Sequence, residues 1–302
     1  MSGSVPRALD GSSIGPLAEP LLARCTFPPA GTSVTCAVSG GADSSALAIL
    51  AVGAGCVVTL VHVDHQLRPG SEAEADVVRA LADRLGAAFV SLSVSLDDGP
   101  NLEARARDLR RAALPADALF GHTADDQAET IVLALIRGAG LDGLRGIVPE
   151  HHPILQLRRA ETVALCAALE VDVVHDPSNS DRRFRRNRVR HEVLPLLGDI
   201  AERDVVAVMA RQSQLLFDDA ALLEELSASI DPTDAKALST APIALARRAV
   251  RRWLSGEHPP SASEVERVLA VAAGTATACE LAGGVRVERH RQRLRVVPPS
   301  AV

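Results

Sequence analysis

From residue 33 onward, short β-branched apolar runs alternate with longer segments of mixed polarity. The runs are Ser33–Val38, Val57–Val63, Ala88–Ser93 and Leu119–His122. Segments of helical length lie between and after them: Asp43–Ala51, Ser71–Leu85, Asn101–Ala113 and Ala124–Arg137. Alternation of this kind predicts parallel strands joined by crossover helices. The runs are apolar throughout, as in strands covered on both faces. The expected fold class is therefore α/β, a doubly wound, Rossmann-like parallel sheet.

The pattern changes after Pro149. Glu161–Leu169 has helical spacing, and an arginine-rich, turn-rich segment comes after it. Ile200–Ser227 predicts one long helix, Ala235–Leu254 and Ser263–Ala273 two more, and Val285–Val297 a hairpin. The expected layout is a lead-in over 1–21, the α/β domain over 22–198, and a smaller, mainly helical domain over 199–302 that closes on the hairpin. A length of 302 residues suits two domains.

Composition adds constraints. Aromatic residues make up only 2%, so Ala, Val, Leu and Ile must build the core. Lys236 is the single lysine among 32 basic residues. A net charge of −6 argues weakly against a nucleic-acid partner, although a binding footprint is local. Cysteines 25, 36, 56, 166 and 279 show no CxxC spacing, so no zinc-ribbon or redox motif is visible. With no secretory pattern at the N-terminus, a reduced, cytoplasmic chain is expected. The longest apolar run, Ala46–Val61, is interrupted by Gly53, Gly55 and Thr59 and falls short of the roughly 20 residues that span a bilayer. No membrane partner is expected.

Ligands of doubly wound sheets bind beyond the carboxyl ends of the strands. "SGGADSS" comes after the first run, "DHQLRPG" after the second and "GHTADDQAET" after the fourth. In the first, a strand ends, glycines turn the chain, and a helix begins. Gly40 and Gly41 let backbone N–H groups approach an anion, and the helix N-terminus adds partial positive charge. Ser39, Ser44 and Ser45 add hydroxyls. Asp43 would repel a phosphate unless a cation bridged them, which points to a nucleotide with Mg²⁺. The segment is neither GxGxxG nor a Walker loop, since it contains no GK[ST]. A plain strand-to-helix turn capped by serine is the competing explanation.

In the third segment, Thr123 and Asp126 have capping-box spacing, which accounts for some of its polarity. His122, Asp125, Asp126 and Glu129 nonetheless fall within eight residues. Asp126 and Glu129 are three apart and share a helical face. A carboxylate pair beside an anion loop can hold a metal or a cationic substrate. Arg107 and Arg110 also share a face, although an ordinary exposed helix explains them alone. Between Asp181 and Glu192, six arginines stand against two acids. Arginine suits phosphate and stacks on bases, so this excess fits an RNA backbone better than a small-molecule pocket.

SGGxDS resembles the signature of the PP-loop, or N-type, ATP pyrophosphatases, which cleave ATP between the α and β phosphates and adenylate a carbonyl oxygen. Several segments together resemble one family within that superfamily, the tRNA(Ile)-lysidine synthetases. They are "SGGADS", "VHVDHQLR", "NLEARARDLR", "GHTADDQAET" with "RGAGLDGL", "PILQLRRAE" and "DPSNSDRRFRRNRVRHEVLPLL", from about Cys36 to Leu197. The resemblance implies ATP-dependent activation of the C2 carbonyl of the wobble cytidine in a tRNA(Ile) with a CAU anticodon. Free L-lysine then displaces AMP, giving lysidine.

By the same resemblance, Ser39, Gly40, Gly41, Ala42, Asp43 and Ser44 hold pyrophosphate, and Asp43 helps place Mg²⁺. Asp126 and Glu129 are expected near the lysine amine. His122, Arg107 and Arg110 are expected near the target nucleotide and phosphates. Arg186, Asn187 and Arg190 match an RN-containing motif expected to steady the nucleotide or its adenylate. A family tyrosine before that motif is Phe184 here, and an aromatic after the NxExxARxxR segment is Arg111. The tail beyond about 200 matches loosely. Its arginines, Arg247, Arg248, Arg251, Arg252, Arg286, Arg289, Arg291, Arg293 and Arg295, suit either a tRNA contact or an ordinary solvated surface. The sequence does not fix the oligomeric state, a homodimer being one option. An AMP-forming ligase of small molecules and a non-catalytic RNA-binding protein are the competing functions.

Overall fold

A computed structural model describes residues 8–9, 11–64, 72–94, 109, 111–174, 181–256 and 259–298. Arg107, Arg110, most of "DHQLRPG" and residues 176–180 of the arginine-rich segment lie outside the described residues. The chain forms two compact units, Met1–Gln214 and Leu215–Val302.

The first unit is built on four parallel strands, β1 (Ser33–Ala37), β2 (Val57–Asp64), β3 (Ala88–Ser93) and β4 (Leu119–Phe120), in the order β3-β2-β1-β4. β1 pairs with β2 from Ser33↔Val57 to Ala37↔Val61, and with β4 at Cys36↔Leu119 and Ala37↔Phe120. β1 is thus central, and the loop at its carboxyl end is flanked by the carboxyl ends of β2 and β4. The expected parallel α/β sheet is present. Its helices are α1 (Gly11–Leu22), α2 (Ala42–Gly53), α3 (Glu72–Leu85), α4 (Ala124–Ile136) and α5 (Arg159–Ala168). Helix α2 is buried along most of its length, from Ser44 to Ala51, because α1, α5 and the sheet cover it. Ile14 and Ala18 of α1 join the same core as Leu47, Leu50, Leu60, Ile154 and Leu157. A core of such small aliphatic side chains matches the aromatic-poor composition.

Next come α6 (Arg185–Arg188), a π-helical turn at Val189–Val193, α7 (Leu194–Ala201) and α8 (Val205–Ala228). The single helix expected from Ile200 is thus two. Glu202 takes a left-handed conformation at φ 49°, and the Asp204 carboxylate accepts the Val206 N–H at 3.0 Å. A short acid that satisfies the first free N–H groups favours a helix start over a helix interior.

In the second unit, the segment expected as one helix over Ala235–Leu254 is also two, α9 (Ala235–Thr240) and α10 (Ile243–Leu254). Pro242 has no N–H to donate and holds Ala241 extended, so the helix cannot run through. Helix α11 (Ala262–Ala273) and an antiparallel sheet β5-β6-β7 complete the unit, with β6 (Arg286–His290) and β7 (Arg293–Val297) forming the expected hairpin beside β5 (Ala278–Glu280). Its own core contains Leu238, Val250, Val265, Val268, Val287 and Leu294. Among the described residues, no helix is long and apolar enough to cross a membrane.

Candidate active site

The turn after β1 is built for close backbone approach. Gly40 has φ +86°, and a Cβ there would come within 2.7 Å of Val174 Cγ2. Only glycine combines that conformation with that clearance. The Ser39 N–H donates to Ser44 Oγ at 3.2 Å, and Ser44 Oγ donates to the Gly41 carbonyl at 3.0 Å. The loop is thereby cinched onto the first turn of α2. Gly41 begins that helix without a side-chain cap, so the helix start presents backbone donors as an anion site does.

Gly121 sets the distance between this loop and the His122–Glu129 segment. A Cβ there would lie 2.7 Å from the Asp43 carbonyl oxygen and 2.8 Å from Ser44 Cα. With only a hydrogen at this position, the end of β4 packs directly on the start of α2. The His122–Glu129 segment is therefore carried up beside Asp43. Thr123 and Asp126 form the expected capping box, with the Thr123 N–H donating to Asp126 Oδ2 at 2.9 Å. That occupies one carboxylate oxygen of Asp126, and Oδ1 turns to a cluster of arginines.

Arg159, at the start of α5, ties the segments together. Its Nε donates to Asp43 Oδ2 at 3.0 Å, one terminal nitrogen to Glu129 Oε1 at 3.1 Å, and the other to Asp126 Oδ1 at 2.8 Å. Thr162, one turn further along α5, donates to the other oxygen of Asp43. Arg186 donates to Glu129 Oε2 at 2.7 Å and to Asp126 Oδ1 at 3.2 Å. Arg190 donates to both Glu129 oxygens, at 2.7 and 3.2 Å. The π-helical turn is continuous with α6, and π turns are frequent at functional sites. Three carboxylates thus meet three guanidinium groups. Glu129 is wholly buried, and Asp126 is 8% exposed. Asp125 lies beside this cluster and binds Arg158 through both oxygens at 3.1 Å, while accepting the Arg159 N–H at 2.7 Å.

The carboxyls respond differently to these surroundings. Burial raises Asp43, and the Arg159 charge and the Thr162 hydrogen bond only partly oppose it, so its net shift is upward. Burial also pushes Asp126 upward, but Arg159 and Arg186 overcome it and hold the carboxyl below its ordinary value. Arg159 is raised by its carboxylate neighbours despite its own burial. A carboxylate held at a desolvation cost beside an anion loop is a natural partner for a cation carried by the ligand.

Of the residues singled out from sequence, Asp43, Asp126, Glu129, Arg186 and Arg190 converge on this one cluster. His122 is next to it, its ring centroid 4.7 Å from that of His152, which stacks on Phe120 at 5.7 Å. Asn187 donates to the Asp181 carbonyl at 2.9 Å within its own turn. Several tail arginines are engaged within the second unit: Arg247 with Glu266 at 2.6 Å, Arg252 with Glu224 at 2.7 Å and Arg295 with Glu288 at 3.3 Å. Arg251, Arg286 and Arg291 are exposed. Sequence reasoning misses Arg159 and Thr162. The only signal is the arginine pair in "LRRAE" at the entrance to a helix.

A glycine turn after a central parallel strand, with SGGADS running from that turn into the first turn of a helix, defines a PP-loop protein. A PP-loop domain model matches residues 19–197, and a TilS substrate binding domain model matches residues 234–295. The chain is 41% identical over 292 residues to the tRNA(Ile)-lysidine synthase of Nocardia farcinica, covering 90% of each chain. It is 43% identical over 235 residues to that of Mycolicibacterium paratuberculosis, covering 72% of this chain and 73% of that one. The chain belongs to the tRNA(Ile)-lysidine synthase family, a tRNA-modifying branch of the ATP-binding PP-loop ligases. Among solved structures, the U34-tRNA thiolase NcsA from Methanococcus maripaludis shares the fold, with a TM-score of 0.57 at 15% identity over 69% of this chain and 80% of that one.

Proposed function

We propose that this enzyme ligates L-lysine to C2 of the wobble cytidine of a tRNA(Ile) with a CAU anticodon, through an adenylated C2 oxygen, releasing diphosphate and AMP. The observation that carries the proposal is the junction of a PP-loop with a buried carboxylate pair in a chain of this family. An oxide is a poor leaving group from a pyrimidine ring, and adenylation converts it to AMP. Ser39, Gly40, Gly41, Ala42 and Ser44 hold the diphosphate end of ATP through backbone N–H groups and hydroxyls. Mg²⁺ is ordinarily held by one or two carboxylates together with phosphate, and Asp43 supplies a carboxylate at the loop. Bound there, the ion would offset phosphate charge.

Asp126 receives the lysine ammonium, with Glu129 behind it maintaining the negative field. The attacking amine must lose a proton, and the Asp126 carboxylate is placed to guide it. Arg186 faces the charge that builds on the adenylate, and Arg190 holds Glu129 from the opposite side. His122, Arg107, Arg110 and Asn187 belong to the nucleotide-facing side. The second unit, through its exposed arginines, contacts the tRNA body, and the whole operates in the cytoplasm. A PP-loop ligase of small molecules is the weaker alternative, since it has no use for a second domain matched to the TilS substrate binding model.

The test is transfer of labelled lysine into acid-precipitable RNA, with Mg-ATP and a CAU-bearing tRNA(Ile) transcript. An elongator tRNA(Met) transcript is the control. Incorporation into the first alone supports the proposal. ATP cleavage to AMP without incorporation would transfer it to the small-molecule class.

A further inference from the structure

Arg159 stands between the carboxylate of the PP-loop and the carboxylate pair of α4. Its guanidinium simultaneously meets Asp43, in the PP-loop segment, and Asp126 with Glu129 on α4. Each of its three nitrogens engages a different carboxylate. The arrangement is buried enough to matter, with Arg159 only 24% exposed in its side chain. Three acids brought this close would repel one another without a cation between them. Arg186 and Arg190 neutralise Glu129 from the far side and reach Asp126 only at 3.2 and 4.0 Å. Asp43 is ion-paired, among the described residues, with Arg159 alone.

We propose that Arg159 is a positioning residue that makes lysine binding depend on ATP binding, a proposal that rests on the lysine-ligation reading. In the empty site its guanidinium stands in for the missing cations and blocks Asp126. When Mg-ATP enters the PP-loop, Asp43 exchanges Arg159 for the cation that accompanies the phosphates. The guanidinium then loses one of its three anchors beside a new, strong anion, and it turns toward phosphate, for which its planar fork is suited. Asp126 is released to receive the lysine ammonium. The coupling is a free energy between two ligands and is reciprocal, so lysine must also tighten ATP. The benefit to the reaction is order: the amine arrives once the group that activates its target is in place. The neighbouring Arg158 cannot substitute, because its fork is committed to Asp125 and Asp204.

The experiment is calorimetric titration of L-lysine into the full chain, with and without Mg²⁺ and an ATP analogue carrying a methylene bridge between the α and β phosphates. In the unaltered protein the analogue should tighten lysine by about tenfold or more, within the roughly 5- to 150-fold range of coupled sites. In Arg159→Gln, lysine should bind without the analogue nearly as tightly as it binds the loaded unaltered protein, and the analogue should change its affinity by less than about twofold. Arg159→Lys keeps a cation but cannot bridge three carboxylates, and should show a coupling between the two. A merely structural role predicts that Arg159→Gln weakens lysine and analogue alike, and that result overturns the proposal. So does an unchanged coupling in Arg159→Lys, the variant that serves if Arg159→Gln fails to fold by circular dichroism. Failure of the unaltered protein to bind lysine under either condition, with no transfer to tRNA, would instead overturn the lysine-ligation reading itself.

Discussion

Arg186 and Arg190, one helical turn apart, grip opposite oxygens of the same buried carboxylate. Nε of Arg186 lies 2.7 Å from Glu129 Oε2, and Nε of Arg190 lies 2.7 Å from Glu129 Oε1. Two guanidinium groups so close would repel each other without that acid. Glu129 therefore works as the internal post on which the arginine-rich segment is hung.

Glu129→Ala should accordingly do two things. Removing one partner of a buried charge cluster leaves the others uncompensated, at a cost of about 3 kcal/mol or more. Chemical denaturation should show it as a lowered midpoint. The lysine concentration for half-maximal turnover should also rise by about tenfold, roughly the worth of one charged hydrogen bond. The ATP requirement should move less. Equal shifts in both requirements would remove Glu129 from the lysine side of the site.

Asp43→Ala should abolish AMP formation while tRNA binding, measured by filter retention, stays within about twofold, because phosphate contacts elsewhere dominate RNA affinity. Turnover that survives the substitution would end the assignment of Asp43 to the ATP side.

Gly121→Ala asks whether the packing of β4 on α2 matters. The added methyl would overlap the Asp43 carbonyl and the Ser44 Cα, which are backbone atoms of a buried helix and cannot turn aside. Overpacking of this kind costs about 1–3 kcal/mol. The displacement falls between the PP-loop and the carboxylate pair, so turnover should fall further than stability does. Gly40→Ala should instead lose ATP affinity first, because its strain lies in the loop itself, where φ is +86° and Val174 closes the space. A thermal scan beside steady-state kinetics distinguishes the two patterns.

The strand-to-helix transitions that build the site are legible in the chain. They announce themselves by periodicity, so β1 with α2 and β4 with α4 are predictable to within about two residues. Asp126 and Glu129 share a helical face by spacing alone. Helix interruptions are harder. The break at Glu202 depends on Asp204 capping a new helix, and hydrophobic periodicity carries no sign of that. Pro242 does carry a sign, which the apolar pattern on both sides of it outweighs. Arg159 is invisible for a different reason. It lies 116 residues from Asp43 and 30 from Glu129, and nothing in a one-dimensional spacing says that α5 starts over both.

The pH dependence of stability should separate two aspartates of this site, Asp43 and Asp125, whose carboxyls shift in opposite directions. For Asp125, burial favours the neutral form, but hydrogen bonds from Arg158 and the Arg159 N–H prevail and hold the carboxyl below its ordinary value of 3.8. A depressed folded-state value means a stabilising contribution present above the unfolded value and lost as pH falls through the folded one. Asp125→Asn should therefore melt about 5 °C lower at pH 7, and the difference should close only below pH 3.8. Asp43 has the opposite sign. Burial, the largest influence, raises it above 3.8, so its contribution is present at low pH and lost as pH rises through the folded value. Asp43→Asn should therefore melt at or above the unaltered protein at pH 7 while losing activity, the exchange of stability for function expected where a site keeps a charge it does not need for folding. Melting curves from pH 7 to pH 3 on both variants decide the matter. If Asp43→Asn melts as far below the unaltered protein as Asp125→Asn does, Asp43 is a structural ion-pair partner rather than a carboxylate held ready for a bound cation.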